Sequence, residues 1–83
     1  MASLAMPRIN GTEIKILLLL GDKHAMHVRA LRAEMHDYGS ISRCLHHLEK
    51  LGFIRRERRK TRVMNILTRK GERAAKALRV LRA

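Results

Sequence analysis

The sequence predicts a small α+β domain, mostly helical, in which three helices precede a basic two-stranded hairpin and a last helix. Three observations predict it. Apolar residues recur at helical spacing before Gly52 and again after Thr68; the segment between them reads as two short strand-type runs around a cluster of cations; and glycines or capping residues stand where these stretches meet. A chain of 83 residues holds one small domain. With 46% hydrophobic and 31% charged residues it is too apolar for intrinsic disorder, so a packed core is expected.

Residues 1–9, "MASLAMPRI", contain the only proline and show no sustained periodicity, and they read as a flexible arm ahead of a domain spanning 10–83. Asn10 or Thr12 is positioned to cap a first helix through "EIKILLLL", with Gly21 as its stop. "HAMHV" is short enough for one strand or an extended connection, and "VRALRAEMHD" places Val28, Leu31 and Met35 at helical spacing. Gly39 suits a tight bend and Ser40 an N-cap, after which "ISRCLHHLEKL" runs to Gly52 as a third helix. Ile41, Cys44, Leu45, Leu48 and Leu51 form its apolar stripe, while Ser42, Arg43, His46, His47 and Lys50 face outward.

The hairpin is expected from Phe53 to about Arg58 and from about Arg62 to Leu67, turning near Arg59-Lys60, so that Phe53 opposes Ile66, Arg55 opposes Met64 and Glu57 opposes Arg62. The tip lacks the Asn-Gly or Asp-Gly that a two-residue turn prefers. Thr68 then caps a helix "RKGERAAKALRVLR" with Ala74, Ala77, Leu78 and Leu81 on one face.

Nineteen Lys and Arg against seven Asp and Glu give a formal net charge of +12, which calls for a polyanionic partner, nucleic acid before an anionic membrane. The charge sits in the second half of the chain: from Arg43 onward the only acids are Glu49, Glu57 and Glu72. The wing cations Arg55, Arg56, Arg58, Arg59, Lys60 and Arg62 face a single glutamate, whereas a merely solvated surface mixes signs.

Helix, helix, helix, basic hairpin, helix is the order of a winged helix-turn-helix. The segments "GSISRCLHHLEKLGFIRRE" and "RVMNILTRKGERAAKAL" resemble the recognition-helix, wing and "LT-x-x-G" segments of MarR-like and PadR-like transcriptional regulators over about residues 24 to 78. The resemblance implies a dimeric duplex-DNA-binding regulator with the third helix in the major groove and the wing on the adjacent backbone. Recognition positions would fall on Ser40, Ser42, Arg43, His46, His47 and Lys50, and wing contacts on Arg55 to Arg62. The sequence departs from the MarR pattern in its short wing and in lacking long terminal dimerisation helices and an inducer-binding domain. A small constitutive repressor of archaeal, viral or plasmid kind, with no small-molecule ligand evident, is the expectation.

Arg43 is placed to offer a two-donor fork to a guanine edge or to a phosphate. Ser40 reads as a cap before a base reader, Ser42 as a donor to base or phosphate. His46 and His47 are donors to phosphate or plain surface residues. Tyr38 either reaches a backbone phosphate or covers the core edge. Apolar residues extend around the first helix beyond one stripe, so a homodimer is expected through Ile16, Leu19 and Leu20 with Leu78, Val80 and Leu81, leaving Ile14, Leu17 and Leu18 for the core.

The lone cysteine, Cys44, permits no internal disulfide and lies on the apolar stripe. His24 with His27 and Cys44 with His47 have spacings a metal could use, but the ligands would come from an extended segment and from both faces of a helix, so no metal and no cofactor are expected. No glycine-rich phosphate loop and no nucleophile with base and orienter are present, and an enzyme is not expected. The longest apolar run, Ile16 to Leu20, is far short of a membrane span, which points to a cytoplasmic protein. A structural RNA-binding protein of ribosomal type and a non-specific architectural DNA-binding protein are the alternatives; the first usually stacks bases on exposed aromatics, and here only Phe53 and Tyr38 are available.

Overall fold

The computed structural model describes residues 7–35 and 41–82. In chain order these form α1 (Gly11–Lys23), β1 (Ala25–His27), α2 (Val28–Glu34), α3 (Ile41–Lys50), β2 (Ile54–Arg59), β3 (Arg62–Leu67) and α4 (Arg69–Arg82). This is the winged-helix arrangement expected. Tyr38, Gly39 and Ser40 lie outside the described residues.

α1 starts at Asn10, whose side chain accepts from the Glu13 amide at 2.8 Å while the Glu13 carboxylate accepts from the Asn10 amide at 2.8 Å, a reciprocal capping box. The helix does not stop at Gly21. It passes through to Lys23, and His24 takes the positive φ of 70° that ends it. Gly21 serves packing instead: a Cβ there would lie 3.2 Å from the Cβ of Ala75, so the missing side chain lets α1 and α4 approach closely. Ahead of the cap, Ile9 packs against the core, which ties down the last part of the expected arm.

Ile16, Leu17, Leu20, Leu31, Ile41, Leu45 and Leu48 are completely buried and form the centre of the core with Phe53, Ile54, Leu67, Ala74 and Ala75. Three expected interface residues, Ile16, Leu20 and Leu78, thus belong to the chain's own interior. Ile14, Leu18 and Leu19 are the partly buried ones. The reason is that α1 is covered on more than one side, by α3, α4 and the sheet, so a wide apolar surface is consumed within one chain. On α4 the buried residues are Ala74, Ala75 and Leu78, while Ala77, Val80 and Leu81 are exposed.

β1 joins the hairpin, giving a three-stranded antiparallel sheet in the order β1-β3-β2 where a two-stranded wing was expected. Arg55 pairs with Ile66, Glu57 with Met64 and Arg59 with Arg62. The register is therefore shifted by two residues from the expected one, because the turn is Lys60-Thr61, with Lys60 accepting a left-handed φ of 55°. A shift of two preserves the faces. Ile54, Arg56 and Arg58 share one face with Leu67, Asn65 and Val63; Arg55, Glu57 and Arg59 share the other with Ile66, Met64 and Arg62.

Two sequence motifs interlock at the base of this hairpin. α3 closes in a Schellman turn: the Gly52 amide donates to Glu49 O, the Phe53 amide donates to Leu48 O, and Gly52 takes φ 82°. The Thr68 hydroxyl donates to Gly52 O at 2.6 Å and accepts from the Gly71 amide at 3.0 Å, capping α4. The Thr68 amide donates to Phe53 O, and Lys70 Nζ donates to Leu51 O at 2.7 Å while lying 5.2 Å from the centre of the Phe53 ring. "LEKLGFI" and "LTRKG" occur together because each satisfies the other's backbone.

Candidate nucleic-acid interface

α3 turns Ile41, Cys44, Leu45 and Leu48 inward and leaves Ser42, Arg43, His46, Glu49 and Lys50 exposed. Its strong segregation into an apolar and a polar face follows from the three- and four-residue spacing of the buried set. Four expected recognition residues, Ser42, Arg43, His46 and Lys50, thus stand together on one accessible face. Ser40 and Tyr38, the remaining positions placed near this helix, lie outside the described residues.

His47 behaves differently from its position on the helical wheel. Its Nδ1 lies 2.5 Å from Glu13 Oε2, and the Glu13 side chain is only 3% exposed. The same carboxylate closes the α1 capping box through its other oxygen. His47 is therefore a structural donor that fastens the N-terminus of α1 to α3, with part of its ring still accessible. Cys44 sits beside it in the core, its Sγ 3.8 Å from the Asn10 side-chain nitrogen. The sequence signals the capping box, Glu13 being an acid three residues after a helix-capping asparagine, but not the contact with His47.

The wing cations fall into three groups. Arg55 Nε and Arg59 Nη2 each lie 3.0 Å from an oxygen of Glu57, which stands between them on the far face of the sheet. The Arg59 hydrogen bond, opposed by desolvation and helped by the charge of Arg55, holds the Glu57 carboxyl below the usual carboxylate range. These ion pairs persist at neutral pH and are lost only as pH falls through that lowered value; all partners being solvated, they add little to stability. Arg58, Lys60 and Arg62 are exposed and pair with no carboxylate among the described residues.

Arg56 forms the third group alone. Its Nε donates to Asn65 Oδ1 at 2.9 Å, and its Nη1 lies 3.4 Å from His46 Nε2. Asn65 is completely buried and donates through Nδ2 to Met26 O at 3.1 Å. One amide thereby links all three strands, and one guanidinium joins the sheet to the exposed face of α3. Asn65 escaped the sequence reading, although a lone polar residue inside "VMNIL" at a core-facing position was the available signal.

Elsewhere, His27 caps α2 through Nδ1, which accepts from the Ala30 amide at 3.1 Å, and His24 Nδ1 lies 3.6 Å from Glu72 Oε1. Among the described residues no three His, Cys, Asp or Glu side chains gather as a metal site would require, and none of their helices is long and apolar enough to cross a membrane.

An exposed basic helix beside a cationic β-hairpin, held on a three-helix core, defines a winged-helix domain. The solved structure of NadR in complex with 4-hydroxyphenylacetate is similar to it, with a TM-score of 0.77 and 24% sequence identity over 87% of this chain and 54% of that chain. The chain thus spans about half the length of NadR. No protein-family model matches the sequence, and no curated protein matches it significantly.

Proposed function

We propose that the chain binds duplex DNA as a sequence-specific transcription regulator of the MarR-like kind, a homodimeric repressor that presents α3 to the major groove and the wing to the phosphate backbone. The observation that carries this reading is a donor-rich face, basic apart from Glu49, that runs from Arg43, His46 and Lys50 through Arg56 to Arg58 and the hairpin tip. NadR, a MarR-family winged-helix regulator, supports it by fold. NadR was crystallised with 4-hydroxyphenylacetate; the proposal for this chain includes no small-molecule ligand. Selection from random duplexes at physiological salt tests the reading, with a two-fold symmetric motif as the expected result. No enriched motif would favour the architectural alternative, which the net charge of +12 also supports, and preference for folded RNA would overturn both.

Dimerisation rests on the end of α4. Val80 and Leu81 are each 76% exposed, and Ala77 completes their stripe at helical spacing. Sedimentation equilibrium at micromolar concentration is expected to give twice the chain mass, and Leu81→Glu is expected to return the protein to a monomer without loss of helix signal. A monomeric parent protein would sink the two-fold arrangement.

Glu57 is an internal competitor for DNA in this reading. Glu57→Gln releases Arg55 and Arg59 and is expected to tighten duplex binding by roughly twofold to fivefold at low salt, with a steeper salt dependence. Unchanged binding would show that the far face of the wing meets no phosphate.

A further inference from the structure

We infer that Asn65 is a positioning residue for DNA contact: its buried amide holds the Arg56 guanidinium at the seam between α3 and the wing, making Arg56 a preorganised phosphate contact. The inference rests on the DNA-binding reading and deepens it.

Asn65 is a poor choice on packing grounds alone. It occupies the middle of β3 with no exposure, between the core residues Met26 and Leu67, where an aliphatic side chain of similar volume would bury apolar surface at no desolvation cost. Both of its polar atoms nevertheless have a partner: Nδ2 donates to Met26 O and Oδ1 accepts from Arg56 Nε. The register puts Met26, Asn65 and Arg56 side by side on one rung, so the amide reaches both neighbours without leaving the strand. The Nε bond fixes the plane of the guanidinium, and the approach of Nη1 to His46 Nε2 fixes which way that plane leans. The remaining N–H groups of Arg56 are left for an acceptor between the exposed face of α3 and the hairpin. Lysine would supply the same charge but not the Nε donor that anchors the fork. Ordering a long side chain before binding spares its entropy at the moment of contact, so the effect should appear in affinity and not in the number of charges engaged.

The test is a thermodynamic cycle on duplex DNA, read as binding constants over a salt series. Asn65→Leu is expected to weaken binding by roughly threefold to tenfold with the slope of log K against log salt unchanged, because every cation remains. In an Arg56→Ala background the same substitution is expected to cost nothing further. A purely structural asparagine would cost the same in both backgrounds, and that result overturns the inference. Should Asn65→Leu not fold, because Met26 O loses its donor, Arg56→Lys decides: it keeps the charge on a partly exposed side chain and is expected to show the same loss at unchanged slope. Full affinity in Arg56→Lys also overturns the inference. A parent protein with no affinity for any duplex removes the DNA-binding reading and this inference with it, whereas a parent that binds well beside an equally strong Asn65→Leu overturns the inference alone.

Discussion

Gly71→Ala is expected to be the most destabilising conservative substitution in the chain. Intrinsic propensity argues the other way, since alanine gains about 1 kcal/mol over glycine in a helix interior. Packing decides the outcome. A Cβ on Gly71 would overlap the Phe53 carbonyl oxygen and lie 2.7 Å from Leu67 Cδ1. That carbonyl also accepts from the Thr68 amide, and the amide of the same residue donates to Leu48 O in the Schellman turn that closes α3, so Phe53 is held from both sides. Relieving the overlap means moving α4 away from the sheet or breaking the Thr68 cap. A net loss of about 3 kcal/mol or more is expected, against a total stability for a domain of this size of about 4 to 12 kcal/mol. Thermal unfolding followed by circular dichroism should show the midpoint lowered by roughly 12 to 24 °C. A midpoint within a few degrees of the parent would mean that Gly71 and Phe53 do not approach so closely.

This junction also shows why the fold was legible in the sequence. Gly52 and Thr68 are local signals whose meaning is backbone geometry: a left-handed stop and an N-cap. Both read correctly in isolation because the forces behind them act over a few residues, whereas the close approach at Gly71 depends on Phe53 from another element and was not read. Signals that depend on what lies across the molecule were not legible. Gly21 resembles a helix stop, yet α1 continues past it, Ala75 packing against it, and the positive φ that ends the helix falls at His24. Ile16 and Leu20 look like surplus apolar surface until α1 is seen to be enclosed by α3, α4 and the sheet. The two-residue register error has a similar source, since lysine gives no sign of accepting φ 55° at the head of a turn.

The same distinction governs the candidate interface. Periodicity alone separated the polar face of α3 from its core face, and that separation holds for Ser42, Arg43, His46 and Lys50. For His47 it holds only in part: the side chain is 42% exposed, yet its ring also bonds Glu13 at the N-terminus of α1, about which helical angle carries no information. In the wing, composition exposed the excess of cations but not their division. Alternation along β2 sends Arg56 and Arg58 toward the side that meets α3, and Arg55 and Arg59 to the side where Glu57 engages them. Six similar charges therefore have at least three different capacities to neutralise a phosphate.

From that division follows the expected behaviour of two sets of variants on DNA. Arg43 is exposed near the start of α3, where the proposed function would turn its planar fork toward the major groove. If that fork meets a base edge, Arg43→Ala costs about 1 to 3 kcal/mol on the selected duplex and much less on a random one. Arg58 and Lys60 are exposed at and beside the hairpin tip, with no carboxylate partner among the described residues to compete for them. Replacing both by alanine is expected to weaken the two duplexes alike and to flatten the slope of log K against log salt by about 0.9 for each phosphate no longer neutralised. The measurement is a binding isotherm for each variant on both duplexes over a salt series, after circular dichroism has confirmed the fold. Loss of sequence preference in the wing variant, together with even weakening by Arg43→Ala, would reverse the assigned roles. In that case α3 would not lie in the major groove, because a helix held against the backbone exposes its cations to phosphates common to every sequence.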